Sequence, residues 1–304
     1  MKKHISTIIT VIVFVTGLSL LLYPTVSNYW NSLHQTKAVA NYSDAMEKMD
    51  KQKKQDAIDA AKAYNEALLS NAGRFTPTEE ELDTYKSLLN ADSTGMMGYI
   101  EIPEIRCELA IYHTVDESVL QVGIGHLEGS SLPIGGSGTH CVLSGHRGLP
   151  SAQLFTKLDR LKKGDIFTLH VYDQVLTYEV DQIAIVEPED YGLLQIEEGQ
   201  DLCTLFTCTP YGINTHRLLV RGHRIENRAG SDVRVTSDAA KVSSALVAVC
   251  IAIPLLIISF LVADRSASRS KKKNKKFHTS HEGWVFAAPH DFPLSCRQKI
   301  SWNS

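Results

Sequence analysis

The chain carries no marked excess of charge: 31 Lys and Arg against 34 Asp and Glu leave a formal net charge of −3. That balance argues against a nucleic-acid binder, which needs a basic surplus to meet phosphates. No internal repeat is visible. Two stretches lack charge altogether, Ile5–Tyr23 and Ala245–Ala263, and both are mostly apolar. Each is about 19 residues, enough to cross roughly 30 Å of hydrocarbon as a helix. Pro254 kinks the second without forbidding it. Lys2 and Lys3 precede the first; Arg265, Arg269, Lys271, Lys272, Lys273, Lys275 and Lys276 follow the second. Positive charge collects on the cytoplasmic side, so a two-pass protein is expected, with both termini inside and the intervening chain outside. Ala38-Val39-Ala40 has the form of a signal-peptide cleavage site but lies well past the apolar run, so a retained anchor is expected.

Cysteine is sparse, and two of the six, Cys250 and Cys296, fall in the second apolar run and the tail. Cys107, Cys141, Cys203 and Cys208 remain for the outer part. Cys203 and Cys208 are an odd number apart, so a continuous strand points them to opposite faces. A disulfide from Cys107 to Cys141 or to Cys203 is left open, and Cys208 is expected to be a free thiol. Cys203, Cys208, His216 and His223 are four nominal zinc ligands, but the same alternation splays the cysteines, so no metal or other cofactor is expected.

Proline and glycine are missing from Lys37 to Asn71, where apolar residues recur at helical spacing, Tyr42, Met46 and Met49, then Ala57, Ala60, Ala61, Tyr64 and Leu68. This predicts one helix ending near Gly73. Its polar middle, Asp50 to Asp56, reads as a solvated face or a frayed link. Thr76-Pro77-Thr78-Glu79 predicts a second start, with Thr76 as cap, Pro77 in the first helical position and Glu79 closing a capping box. Leu82, Tyr85, Leu88 and Leu89 form its apolar stripe.

From Gly98 the period shortens to that of strands: Met97–Ile102, Leu109–Tyr112, Thr139–Leu143, Ile166–Val171, Val175–Val186, Leu202–Cys208 and Leu218–Arg221. In the fifth, Leu176, Tyr178 and Val180 alternate with Thr177, Glu179 and Asp181, so one face is expected to be wet. Ser151 to Leu161 reads as a short helix. Short strands broken by Gly and Pro turns imply an all-β barrel or sandwich. The tail after Phe277 shows no periodicity.

The chemistry concentrates at Cys208, which ends a strand before the turn Thr209-Pro210-Tyr211-Gly212. A thiolate attacks a carbonyl with modest activation, and a guanidinium nearby can hold the oxyanion that develops. Arg217 follows nine residues later, with Arg147, Arg221 and Arg224 as alternative cations. His146, in Ser144-Gly145-His146-Arg147-Gly148, is placed to move the proton. His216 would face away from Arg217, and His126 reads as a turn residue. A buried structural cysteine is the competing account of Cys208.

Thr204-Leu205-Phe206-Thr207-Cys208 with Arg217 downstream and Ser144-Gly145-His146 upstream resembles the sortase transpeptidases. The longer string from Cys208 to Gly222 is similar to the pilus-assembling class C branch, over roughly Gly98 to Ile225. The resemblance implies a closed β-barrel with short helices, preceded by a helical segment and flanked by two transmembrane helices. The corresponding parts are 1–23 for the start and first span, 24–95 for a helical or lid segment and 96–228 for the barrel. A linker (229–244), the second span (245–263) and a basic tail (264–304) follow. It implies Cys208 as nucleophile, His146 as general acid and base, and Arg217 as stabiliser of the oxyanion. Thr207 and Thr209 beside the nucleophile belong to the substrate pocket, with plain strand packing the alternative for Thr207. Expected partners are the membrane and pilin or surface proteins bearing a Leu-Pro-x-Thr-Gly-like motif, with a lysine amine of another pilin as acceptor. A peptidoglycan amine, water as in a cysteine protease, or a non-catalytic scaffold are the rival readings. One feature of class C is missing: no Asp-Pro-aromatic lid tripeptide precedes Gly98, and Asn71-Ala72-Gly73-Arg74-Phe75-Thr76 stands in its place.

Overall fold

Tyr42, at the buried end of a long helix, bonds that helix to a β-barrel. In the computed structural model, which describes residues 2–91 and 93–227, α1 runs unbroken from Lys2 to Lys48 with Pro24 inside it. Its Val39, Tyr42 and Met46 enter the core. The Tyr42 hydroxyl donates to Met97 O (2.7 Å) and accepts from Tyr172 N (2.9 Å). The expected linker, second span and tail, 229–304, lie outside the described residues.

The helix expected from Lys37 to Asn71 is two helices. Asp50 breaks it: its carboxylate accepts from Gln52 N (2.8 Å) and caps α2, Lys51–Leu68. An aspartate that bonds its own backbone in this way competes with helix continuation. The next start also shifts, by two residues. The Thr76 hydroxyl bonds Gly73 O instead (3.0 Å), and Thr78 caps α3, Glu79–Ser87, in a capping box with Glu81. Tyr85 of α3 is buried and its hydroxyl meets His126 Nδ1 at 2.9 Å.

Eight strands close the barrel: β1 (Met96–Ile102), β2 (Cys107–His113), β3 (Ile124–His126), β4 (Thr139–Ser144), β5 (Ile166–Val171), β6 (Gln174–Val186), β7 (Asp201–Thr209) and β8 (His216–Ile225). Around the wall they run β1-β2-β3-β4-β7-β8-β6-β5. All neighbours are antiparallel except β2–β3 and β4–β7. Four-residue helix α4, Glu117–Leu120, joins β2 to β3. Leu154–Arg160 forms the expected short helix, with 3-10 geometry. Gly98 is a glycine because β5 lies against it: a Cβ there would stand 2.3 Å from His170 O.

The inward residues read along β6, Leu176, Tyr178 and Val180, are buried as expected, and the alternation changes at a bulge just after them. Val180 pairs with Gly222 and Gln182 with Arg221, so Asp181 is the extra residue and inward and outward positions exchange. β5 begins opposite Glu179, so no β5 residue pairs with β6 beyond the bulge, where Ile183 and Ile185 are exposed. On the wet face expected for Thr177, the residue is buried, its hydroxyl donating to Asn227 Oδ1 (3.1 Å).

Candidate active site

Three neighbouring strands, β4, β7 and β8, bring the expected residues to one end of the barrel. Cys208 is next to last in β7 and pairs across the antiparallel register with Arg217 near the start of β8. Residues directly opposite share a face, so the Cys208 and Arg217 side chains leave the same face of the sheet, and His216, opposite Thr209, belongs to the other face. His146 enters from β4, which runs parallel to β7 with Ser144 against Phe206.

The turn carrying His146 is fastened to β7 at several points. Gly145 N donates to Phe206 O (3.1 Å), and the Thr207 hydroxyl donates to Gly145 O (2.7 Å). A Cβ on Gly145 would stand 2.6 Å from Ile124 Cδ1 and 2.7 Å from the Phe155 ring, so only glycine fits. Arg147 then reaches to Thr209 Oγ1 through Nη1 (3.1 Å) and to Asp159 through Nη2 (2.5 Å). Its guanidinium lies 6.0 Å from the centre of the Tyr211 ring, and that ring closes on Gly148. Arg147, named above only as an alternative cation, thus links the neighbour of His146 to the neighbour of Cys208. Its place between His146 and a glycine was the visible signal.

Thr207 and Thr209 lie on the inward face, opposite to that of Cys208, and both are buried. Their hydroxyls serve the Gly145–Arg147 turn. The Thr207 and Thr209 hydroxyls, expected in the substrate pocket, are thus engaged by that turn.

His146 Nε2 lies 3.4 Å from Glu117 Oε2, a partner on α4 that sequence reasoning did not name. Gln121 donates to the other oxygen of the same carboxylate. The Gln121 bond and the imidazole hold that carboxyl below its ordinary range. Arg217 donates through Nη1 to Asn214 O and His216 O, both 3.2 Å, which ties it to the β7–β8 loop. That loop exposes Tyr211 and Ile213.

The outer face of β4, β7 and β8 is covered up to a point short of Cys208. Val142, Leu194 and Leu219 form a small cluster joined by Phe75, Leu193 and Phe206. Buried Arg74 donates to Leu194 O (3.2 Å) and Gln195 Oε1 (3.0 Å), and Phe75 stacks on Tyr191 at 5.2 Å. The 71–76 segment is thus fastened to the β6–β7 loop by an arginine and a phenylalanine. Cys107, Cys141, Cys203 and Cys208 are all free thiols. Cys141 faces Cys203 directly across β4 and β7 in the interior, and Cys107 is distant on β2, where burial pushes its thiol up to about 12. His126 is a fully buried strand residue held by Tyr85 and by Ser131 O, not a turn residue.

Residues 100–225 match the sortase domain model. The chain is 52% identical to sortase C1 of Streptococcus agalactiae, covering 63% of this chain and 99% of that one, with a TM-score of 0.62. The chain belongs to the sortase family. A sortase C of Streptococcus pneumoniae is 44% identical over 64% of this chain and 98% of its own, with a TM-score of 0.55. Sortase A of Bacillus anthracis is 26% identical over 75% of this chain and 98% of its own length. The barrel is thus a sortase barrel with class C neighbours, and its family is one of transpeptidases acting on sorting-motif substrates.

Proposed function

We propose that this sortase is a membrane-anchored pilin polymerase whose nucleophile is Cys208. The pairing of Cys208 with Arg217 across β7 and β8, beside the turn that carries His146, is the observation that carries this reading. In the first half-reaction the Cys208 thiolate attacks the threonine carbonyl of a Leu-Pro-x-Thr-Gly-like motif. The carbonyl oxygen becomes an oxyanion, held by the N–H groups of Arg217 not engaged by the loop carbonyls. His146 gives its proton to the departing glycine amine as the peptide bond breaks, leaving a thioester. In the second half a lysine amine of another pilin attacks that thioester. His146 takes the proton, the carbon–sulfur bond breaks, and an isopeptide links the two subunits. Glu117 orients the imidazole. Thr207, Thr209 and Arg147 fix the turn it stands on.

The pilus assignment draws on the class C neighbours, among them a pilus-related sortase C of Group B Streptococcus. The anchor reading draws on α1, whose stretch from Ile12 is long and apolar enough to cross a membrane. Lys2 and Lys3 place its start in the cytoplasm, and the barrel outside. A second span at Ala245–Ala263, outside the described residues, completes the two-pass topology. Incubation with a pilin is expected to give a ladder that survives boiling, with a mass-spectrometric adduct on Cys208 alone. Full activity in Cys208→Ala would falsify the nucleophile; monomeric hydrolysed product alone would make the enzyme a protease.

A further inference from the structure

Helix α1 reverses its amphipathic character along its length. From Lys37 onward it behaves as a helix in water: Val39, Tyr42 and Met46 turn inward, while Lys37, Asn41, Asp44 and Lys48 are exposed. Just before that, the pattern is inside out. Val26, Tyr29, Trp30 and Leu33 turn outward, 55, 39, 63 and 47% exposed, and their spacing places them on one stripe. Asn28, Asn31 and Gln35 occupy the opposite side and bond backbone groups of β2 and of the loops that follow β4 and α4. Asn28 Oδ1 accepts from Gln153 N (2.9 Å) and Asn31 Nδ2 donates to Ser151 O (2.7 Å). Gln35 accepts from Ala110 N (2.9 Å) and donates to Val122 O. Ser32, His34 and Thr36 are exposed beside that stripe. A helix that turns amides to its protein and this mixture of aromatic, aliphatic and small polar side chains outward suits a headgroup layer better than open water.

Length points the same way. No Asp, Glu, Lys or Arg stands between Lys3 and Lys37, an uncharged run from 4 to 36. At 1.5 Å per residue that run spans about 50 Å, against about 30 Å of hydrocarbon and about 40–45 Å with both headgroup layers. With Lys3 at the inner surface, the excess falls on the outer side. Tyr23, Tyr29 and Trp30 lie there, residue types that collect at membrane–water boundaries.

We propose that the outer headgroup layer reaches up α1 as far as Leu33, so that the loop following His146 is seated on the bilayer surface. This rests on the reading of α1 as a membrane anchor. The loop is joined to the immersed turn through Ser151 and Gln153, and Phe155 N bonds His146 O (3.1 Å) within the same connection. The anchor is therefore also a brace for the catalytic histidine. Substrates held in the same leaflet by their own tails meet the site at headgroup height.

The test uses the full chain in phosphatidylglycerol–phosphatidylcholine vesicles, with Trp284→Phe and Trp302→Phe leaving Trp30 as the sole tryptophan. Lipids brominated near the glycerol end of their chains are expected to quench Trp30 several-fold. Aqueous iodide is expected to quench it several-fold less than a tryptophan introduced by Asn41→Trp in a Trp30→Phe background. Equal iodide quenching at both positions, in protein that resists alkaline carbonate extraction, overturns the proposal while leaving the anchor intact. Trp30 shielded from iodide yet untouched by brominated lipid also overturns it, because protein then covers the stripe. Extraction of the chain by carbonate removes the anchor reading and this inference with it.

Discussion

Thr209→Val removes one hydroxyl and keeps the side-chain shape, which isolates the bond between Thr209 and Arg147. The Arg147 side chain is only 9% exposed, and its Nε has no acceptor. Without Thr209 Oγ1, Nη1 loses its partner at 3.1 Å and the cation keeps only Asp159 and the Tyr211 ring. A hydrogen bond to a charged group contributes about 1.5–3 kcal/mol, and an orphaned buried donor costs about as much, so stability should fall by that amount. The effect on rate follows from position: Arg147 adjoins His146 and Thr209 adjoins Cys208. A shift of about 1 Å between reacting groups costs about 100-fold, so kcat/KM should fall about 10- to 100-fold. Arg147→Gln should act alike, and the double variant should be little worse than either alone, giving a coupling of about 1.5–3 kcal/mol. Denaturant unfolding gives the stability term, and cleavage of a fluorogenic sorting peptide with an added amine gives the rate. Losses that add to within about 0.5 kcal/mol would refute the linkage. So would a loss of stability with turnover unchanged.

Three further outcomes are expected. Gly129 has φ +79° and a Cβ there would stand 1.9 Å from Arg74 O, so Gly129→Ala should displace the 71–76 segment and cost about 2–4 kcal/mol in denaturant unfolding. Phe75→Ala removes the ring stacked on Tyr191, and hydrogen exchange of residues 192–195 should quicken while the strands keep their protection. Burial holds the His140 imidazole below its ordinary value of 6.5, so the folded chain takes up that proton less readily than the unfolded one. Its stabilising contribution is therefore complete above pH 6.5 and is lost as the pH falls below it. The melting temperature should drop toward about pH 5, and the slope should lessen in His140→Gln; identical slopes in both would rule out His140 as the source.

Much of the barrel was legible because each strand carries its own alternation. Ile166–Val171 is β5 to the residue, and Leu202–Cys208 lies within β7. β3 was missed: three residues are too few to show a period. The β6 bulge was missed because nothing in Val180-Asp181-Gln182 marks an extra residue until β8 lies beside it. The helix break at Asp50 and the cap at Thr78 were decided by which oxygen reaches which N–H, a choice between near-equal local bonds.

The amino-acid order by itself determined that a cysteine and an arginine stand near the ends of consecutive strands, with a histidine between glycines upstream. It also determined that the chain opens with an apolar run flanked by lysines. Only tertiary structure decided that β4 lies parallel to β7, which sets the histidine turn beside the cysteine, and that Arg147 and Glu117 join the site. Only tertiary structure, again, turned Asn28 and Asn31 toward the barrel and left Trp30 facing outward. The physical reason is the same in each case. Periodicity and turn chemistry are local properties, whereas register, parallel pairing and the inward face of a helix depend on groups many residues away in the chain.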